Sequence, residues 1–157
     1  MTKFEQAELK GRKKLKGFLD DYHYTDQQPT TNLYDRVDYY ATSKKGNKSV
    51  FEIKDRNLIN QWTGEVYDEI LIEKSKVDAV MNRVIEKDFN KGFYACFNDD
   101  ELYLFDLYNC PKRQSQMMLP KTTAGSNNEK VLKDVYFFKT DNAYKFQMIN
   151  NKWKYIK

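Results

Sequence analysis

Asp38, Glu52 and Lys54 are the residues of this 157-residue chain whose types and spacing could do chemistry together. Residues 34–42 and 49–54 are β-branched and aromatic enough to form strands. Between them Lys44-Lys45-Gly46 fits a three-residue hairpin loop, with Gly46 at the position that requires positive φ. In that register the numbers of paired residues sum to 90, which sets Asp38 opposite Glu52. Directly opposed residues share a face, so Asp38, Glu52 and Lys54 are expected to point one way. Val37, Tyr39, Ala41, Phe51 and Ile53 would then point the other way, into a core. A slip of one residue would divide the two acids between the faces, and the loop glycine argues against it.

Two opposed carboxylates repel, and such a pair is normally neutralised by a cation or a shared proton. With the backbone carbonyl of Ile53 they make a hard-oxygen set suited to Mg²⁺ or Mn²⁺. A lysine beside them can orient an attacking water or stabilise charge on a phosphate in flight. The competing reading is an exposed strand face carrying ordinary charges, in a chain that is 32% charged.

The surrounding elements must position these groups. Residues 3–20 form an expected helix with an apolar stripe of Phe4, Gly11, Leu15, Phe18 and Leu19, and Glu8 falls within that stripe. A buried acid is costly unless it is paired or binds metal, so Glu8 is a candidate further ligand. Glu5 is the competing helix carboxylate, and a Glu8 that merely reaches water from the stripe's edge is the plainer alternative. Residues 69–73 read as a short buried strand and 76–88 as a helix with Val77, Val80, Met81, Val84 and Ile85 on one face. Strands follow at 92–97 and 101–108, joined by Asn98-Asp99-Asp100. Residues 22–33, with His23, read as a polar connection, and 56–68, with Trp62 and Gly64, as a long loop beside the site. A strand is expected at 114–119, and a last strand or short helix at 131–138. The fold class is therefore α/β, a mixed sheet of five or six strands built on the Asp38/Glu52 hairpin and flanked by the two helices.

An Asp on one hairpin strand followed by Glu-x-Lys on the next resembles the PD-(D/E)xK, or restriction-endonuclease-like, nuclease superfamily. Asp38, Glu52 and Lys54 match its Asp, acid and lysine; Val37 stands where the motif's proline would be. The match covers residues 34–56. The resemblance implies a glutamate from the first helix at the metal site, which Glu8 would supply. It also implies the order helix, hairpin, strand, helix, strand, which the chain follows. Ile72-Glu73-Lys74-Ser75-Lys76 and Leu119-Pro120-Lys121-Thr122-Thr123 look like segments of small bacteriophage nucleases of this type. The implied activity is Mg²⁺-dependent hydrolysis of DNA phosphodiesters by metal-activated water, in endo or exo mode.

Composition narrows the alternatives. The length suits one domain over residues 1–157. The polar N-terminus and the absence of an apolar run near 18 residues point to a soluble, cytoplasmic protein, in a host cytoplasm if viral, without a membrane partner. His23 is the single histidine, and Cys96 and Cys110 have no metal-ligand spacing, which disfavours zinc sets and histidine-based nucleophiles. No Gly-rich phosphate loop occurs. The net charge of +4 is uneven: Lys10, Arg12, Lys13, Lys14 and Lys16 lie on the first helix, and Lys44, Lys45 and Lys48 crowd the hairpin turn. Residues 152–157 alternate bases with Trp153, Tyr155 and Ile156. Clustered lysines suit phosphate backbones, and interleaved aromatics can stack on bases. Lys13, Lys14, Lys44, Lys45 and Lys76 are the expected DNA contacts, although each also fits a plain solvated face. The alternatives are a catalytically weak or inactive nucleic-acid-binding relative, a Holliday-junction-resolvase-like structure-specific nuclease, and an interaction protein with incidental charges. Cutting both strands or a junction would favour a homodimer.

Overall fold

The first helix, α1 (Lys3–Asp21), begins with a capping box. Glu5 N–H bonds the Thr2 hydroxyl at 3.1 Å, and Thr2 N–H bonds the Glu5 carboxylate at 3.0 Å. Glu5 is thus used as a cap. Leu15, Phe18 and Leu19 are buried, whereas residues 5–10 are exposed. Glu8 is therefore exposed, contrary to its expected place on the buried side. The structure, a computed structural model, describes residues 2–30, 37–86, 89–121 and 129–157. Expected strand residues 34–36, the end of the expected second helix (87–88), residues 122–128 and the Phe4 side chain lie outside it.

The strands are β1 (Thr25–Pro29), β2 (Tyr39–Thr42), β3 (Lys48–Asp55), β4 (Glu69–Glu73), β5 (Lys91–Asn98), β6 (Glu101–Asp106), β7 (Arg113–Pro120), β8 (Lys130–Lys139), β9 (Tyr144–Ile149) and β10 (Lys152–Tyr155); α2 (Lys74–Glu86) links β4 to β5. Seven form a mixed sheet in the order β1-β2-β3-β5-β6-β9-β10, and three form an antiparallel sheet in the order β4-β8-β7. Strand β3 runs parallel to β5, and both need cover on each face. One face packs on α1 through Phe51, Phe97, Phe146 and Trp153. The other packs on α2 and the small sheet through Val50, Val77, Val80, Ile72 and Phe138. Gly92 lets β5 pass beneath α2: a Cβ there would sit 2.7 Å from Val80 Cγ1. Among the described residues, no helix is long and apolar enough to cross a membrane.

The hairpin register is the expected one, Tyr39 with Phe51 through Thr42 with Lys48, and Gly46 has φ +87°. Regular pairing stops at Tyr39. Asp38 N–H bonds Phe51 O, and Ile53 N–H bonds the Asp38 carboxylate rather than a backbone carbonyl. The chain turns there, so Val37 enters the α2-side core instead of the α1-side core with Tyr39.

Other expectations also change. Residues 22–33 contain β1, a polar edge strand paired with β2. The strand expected at 101–108 ends at Asp106, whose carboxylate accepts the N–H groups of Tyr108 and Asn109. Residues 131–138 are strand, within β8. The loop at 56–68 is tied by an Ile59–Val66 bridge and leaves Trp62 87% exposed. The alternating C-terminus is the hairpin β9–β10, with Trp153 in the core. Its period of two reflects a strand, not a base-stacking tail.

Candidate active site

Strand β3 carries Glu52 and Lys54 on its α2-facing side, the alternation that places Val50 in the α2-side core. Just before β2 begins, Asp38 swings its carboxylate across the ladder to Ile53 N–H at 2.8 Å. This one bond anchors Asp38 beside Glu52. A strand residue's N–H and C=O project to the same side, so the Ile53 carbonyl lies on the edge that Asp38 occupies. Gly11 brings α1 against this edge, since a Cβ there would sit 3.0 Å from Ile53 Cγ2.

A cavity of about 110 Å³ results, lined by Glu8, Gly11 and Arg12 from α1, by Asp38, Glu52, Ile53, Lys54 and Asp55 from the hairpin, and by Lys76 from α2. The proposed catalytic trio, the Ile53 carbonyl edge, Glu8 and Lys76 therefore share one concavity. Lys54 and Lys76 also wall an adjoining cavity of about 170 Å³, with Arg56, Tyr94, Leu119 and Pro120.

The electrostatics are those of a crowded, half-dry site. The Glu52 carboxyl is pushed up to about 8, chiefly by burial and then by Asp38, while Lys76 pulls it down. Lys76 Nζ lies 3.5 Å from Glu52 Oε1, and Glu52 Oε2 is buried without a hydrogen-bond partner. Burial lowers the Lys54 ammonium, helped by Lys76 and Arg56 and opposed by Glu52 and Asp38. An orphaned carboxylate oxygen beside a second carboxylate and a backbone carbonyl is a donor set that a hard divalent cation fits. Among the described residues no three acidic, His or Cys side chains close around one point, so Glu8 lines the cavity without completing a carboxylate triad.

The lysines divide. Lys13 is exposed on α1, and Lys44 and Lys45 are exposed at the hairpin tip. That tip is six residues, or roughly 20 Å, from Asp38 and Glu52, so these two do not line the cavity. Lys14, expected as a DNA contact, is instead committed within the fold: its Nζ lies 3.1 Å from the Asp55 carboxylate and 3.2 Å from Asp99 O. Lys76, expected as a DNA contact at the start of the second helix, faces Glu52. Sequence reasoning missed Asp55 and Arg56 as site residues and placed Arg12 only in the basic cluster of the first helix. Asp55 follows the motif directly but is held by Lys10 and Lys14 from a distant segment. Arg56 continues the Glu52–Lys54 alternation, a signal that was available.

No protein-family model matches the chain, and no curated protein does. Among solved structures it is similar to Hjc, a Holliday junction resolvase from Archaeoglobus fulgidus, at 11% identity. The match covers 85% of this chain and 87% of that one, with a TM-score of 0.50. The fold is therefore restriction-endonuclease-like, the α/β class the sequence implied. At this identity the likeness speaks for the fold alone.

Proposed function

We propose that this chain is a Mg²⁺- or Mn²⁺-dependent nuclease that hydrolyses DNA phosphodiesters at the Asp38–Glu52–Lys54 cavity. The observation that carries the reading is the buried, unpartnered Glu52 oxygen beside Asp38, in a concavity that also holds Lys54 and Lys76. Asp38, Glu52 and the Ile53 carbonyl would hold the ion, with Glu8 approaching from α1. When bound, the ion supplies Lewis acidity toward the phosphate and lowers the pKa of water.

The chain's own groups do the rest. Asp38 is pre-positioned by its bond to Ile53 N–H, so little reorganisation is needed to bind the ion. Lys54, its proton loosened by burial and by two neighbouring cations, orients water or steadies charge on the phosphate. Lys76, which faces Glu52 across the cavity, would be within reach of a phosphate oxygen of bound substrate. Lys13, Lys44 and Lys45 would track the backbone farther out.

A narrower second reading is favoured by the neighbour's own description, a junction resolvase, and makes branched DNA one substrate to test. The test is cleavage of labelled single-stranded, duplex and four-way-junction DNA, and of RNA, by wild type and Asp38→Asn in Mg²⁺ and in Mn²⁺. Cleavage by wild type and its loss in Asp38→Asn supports the proposal. Binding without cleavage under every condition would favour an inactive DNA-binding relative.

A further inference from the structure

The open strand edges of this fold are not treated alike. The β1 edge is interrupted between Thr25 and Gln28, has Asp26 at φ +50° and ends at Pro29. The β10 edge is four residues long and carries Lys152 and Lys154. The β4 edge is covered at Leu71, whose carbonyl accepts the Arg56 guanidinium at 3.2 Å. These are the devices by which sheets avoid unwanted pairing. Strand β7 has none of them over most of its length. Seven successive residues, Gln114 to Pro120, are uncharged, and the strand's one charge, Arg113, is engaged by Glu69.

The register fixes which backbone groups that edge offers. Lys121 N–H bonds Glu129 O, and pairing then runs unbroken back to Arg113 with Phe137. Odd-numbered residues of β7 therefore bond to β8, while the N–H and C=O groups of Gln114, Gln116 and Met118 project outward. Among the described residues no strand meets them. Pro120, which lacks an N–H, falls at the next outward position and ends the usable edge. Three donor–acceptor residues centred on Gln116 make a self-complementary ladder.

We propose that β7 pairs with β7 of a second copy of this chain, antiparallel about a two-fold axis at Gln116, so that the two small sheets become one. Gln116 then faces its own mate, Gln114 faces Met118, Ser115 faces Met117, and Arg113 faces Leu119, with no like charges opposed. About six backbone hydrogen bonds form. The pairing also extends the sheet beside Met118 and Leu132, cross-strand neighbours that are 55% and 59% exposed. Each Pro120 adjoins its own Lys54–Lys76 cavity. The two sites would thus sit toward opposite ends of the shared strands, whose Pro120 residues are roughly 25–30 Å apart along the strand direction.

The test uses neither metal nor nucleic acid, so its failure leaves the nuclease reading untouched. Light scattering after size exclusion should give twice the 18.8 kDa chain mass for wild type. Gln116→Lys, at an exposed position, should give the single-chain mass with an unchanged melt. Gln116→Cys should cross-link to itself under mild oxidation, since opposed Cα atoms about 5.5 Å apart lie within disulfide reach. Ser115→Cys and Met117→Cys should cross-link when mixed, and neither alone. Wild type, whose Cys96 and Cys110 are buried, is the control. A monomeric wild type at high concentration overturns the proposal, as does a dimer that persists in Gln116→Lys. Self-cross-linking of Ser115→Cys as fast as Gln116→Cys overturns it too.

Discussion

Replacing Glu52 by Gln should make the metal-free protein more stable, and increasingly so as pH rises. The Glu52 side chain is 8% exposed, with one oxygen unpartnered and Asp38 alongside. Its carboxyl is displaced from an ordinary 4.5 to about 8. Between those two values the unfolded chain has released this proton and the folded chain still holds it. Unfolding therefore becomes easier as pH rises. The contribution is fully present below the unfolded value and lost as pH passes the folded one. At about 1.4 kcal/mol per pH unit the upper limit is about 5 kcal/mol. A gain of only about 2 kcal/mol would raise Tm by roughly 4–8 °C in a domain of this size. Glutamine keeps the shape, carries no charge, and can donate to Asp38 while accepting from Lys76. The assay is a thermal melt in chelator from pH 4 to pH 9. Wild type should lose stability between the two values, and Glu52→Gln should lose much less. Excess Mn²⁺ should then narrow the gap, because wild type gains by mass action, about 2.7 kcal/mol at a hundredfold excess over Kd. A Glu52→Gln chain less stable than wild type in chelator at pH 8, or parallel pH profiles, would show that a buried Glu52 charge does not destabilise the fold.

Lys54→Ala should lower the cleavage rate about 10²–10³-fold, measured at saturating metal, while DNA affinity stays nearly unchanged. Charge reversal of Lys13, Lys44 and Lys45 together should weaken binding and reduce the slope of log affinity against log salt by about 0.9 for each phosphate no longer neutralised. Lys14→Glu should instead destabilise the fold, because it sets a carboxylate against Asp55, and a melt will separate the two effects. Trp153→Ala should cost about 3–5 kcal/mol in denaturant unfolding, as expected for a large buried side chain and not for an exposed base-stacking residue.

The hairpin was legible because one glycine fixes its register, and register decides which side chains meet. The side taken by Val37 was not, since the turn at Asp38 comes from a side chain replacing a backbone acceptor, and nothing in a period-two pattern announces that. Strand β1 escaped because Thr-Asp-Gln-Gln-Pro has no apolar face to read; its pairing with β2 makes it a strand. The Lys–aromatic alternation at the C-terminus carried a correct strand signal that was assigned to binding, although Trp153 belongs to the α1-side core. Strand β4 was found, but its departure to a second sheet with β8 depends on residues more than sixty positions away. The convergence of Asp38, Glu52 and Lys54 was readable locally. The Asp55–Lys14 pair, which withdraws a lysine from the surface, spans 41 residues and was not.

The nuclease reading requires the buried Asp38–Glu52 pair to be a cation site. A Mn²⁺ titration followed by electron paramagnetic resonance tests it on wild type, Asp38→Asn and Glu52→Gln without any substrate. Wild type should bind saturably, and binding should be lost or weakened at least tenfold, about 1.4 kcal/mol, in each variant. Equal binding by all three proteins, or none by wild type at millimolar Mn²⁺, would contradict it.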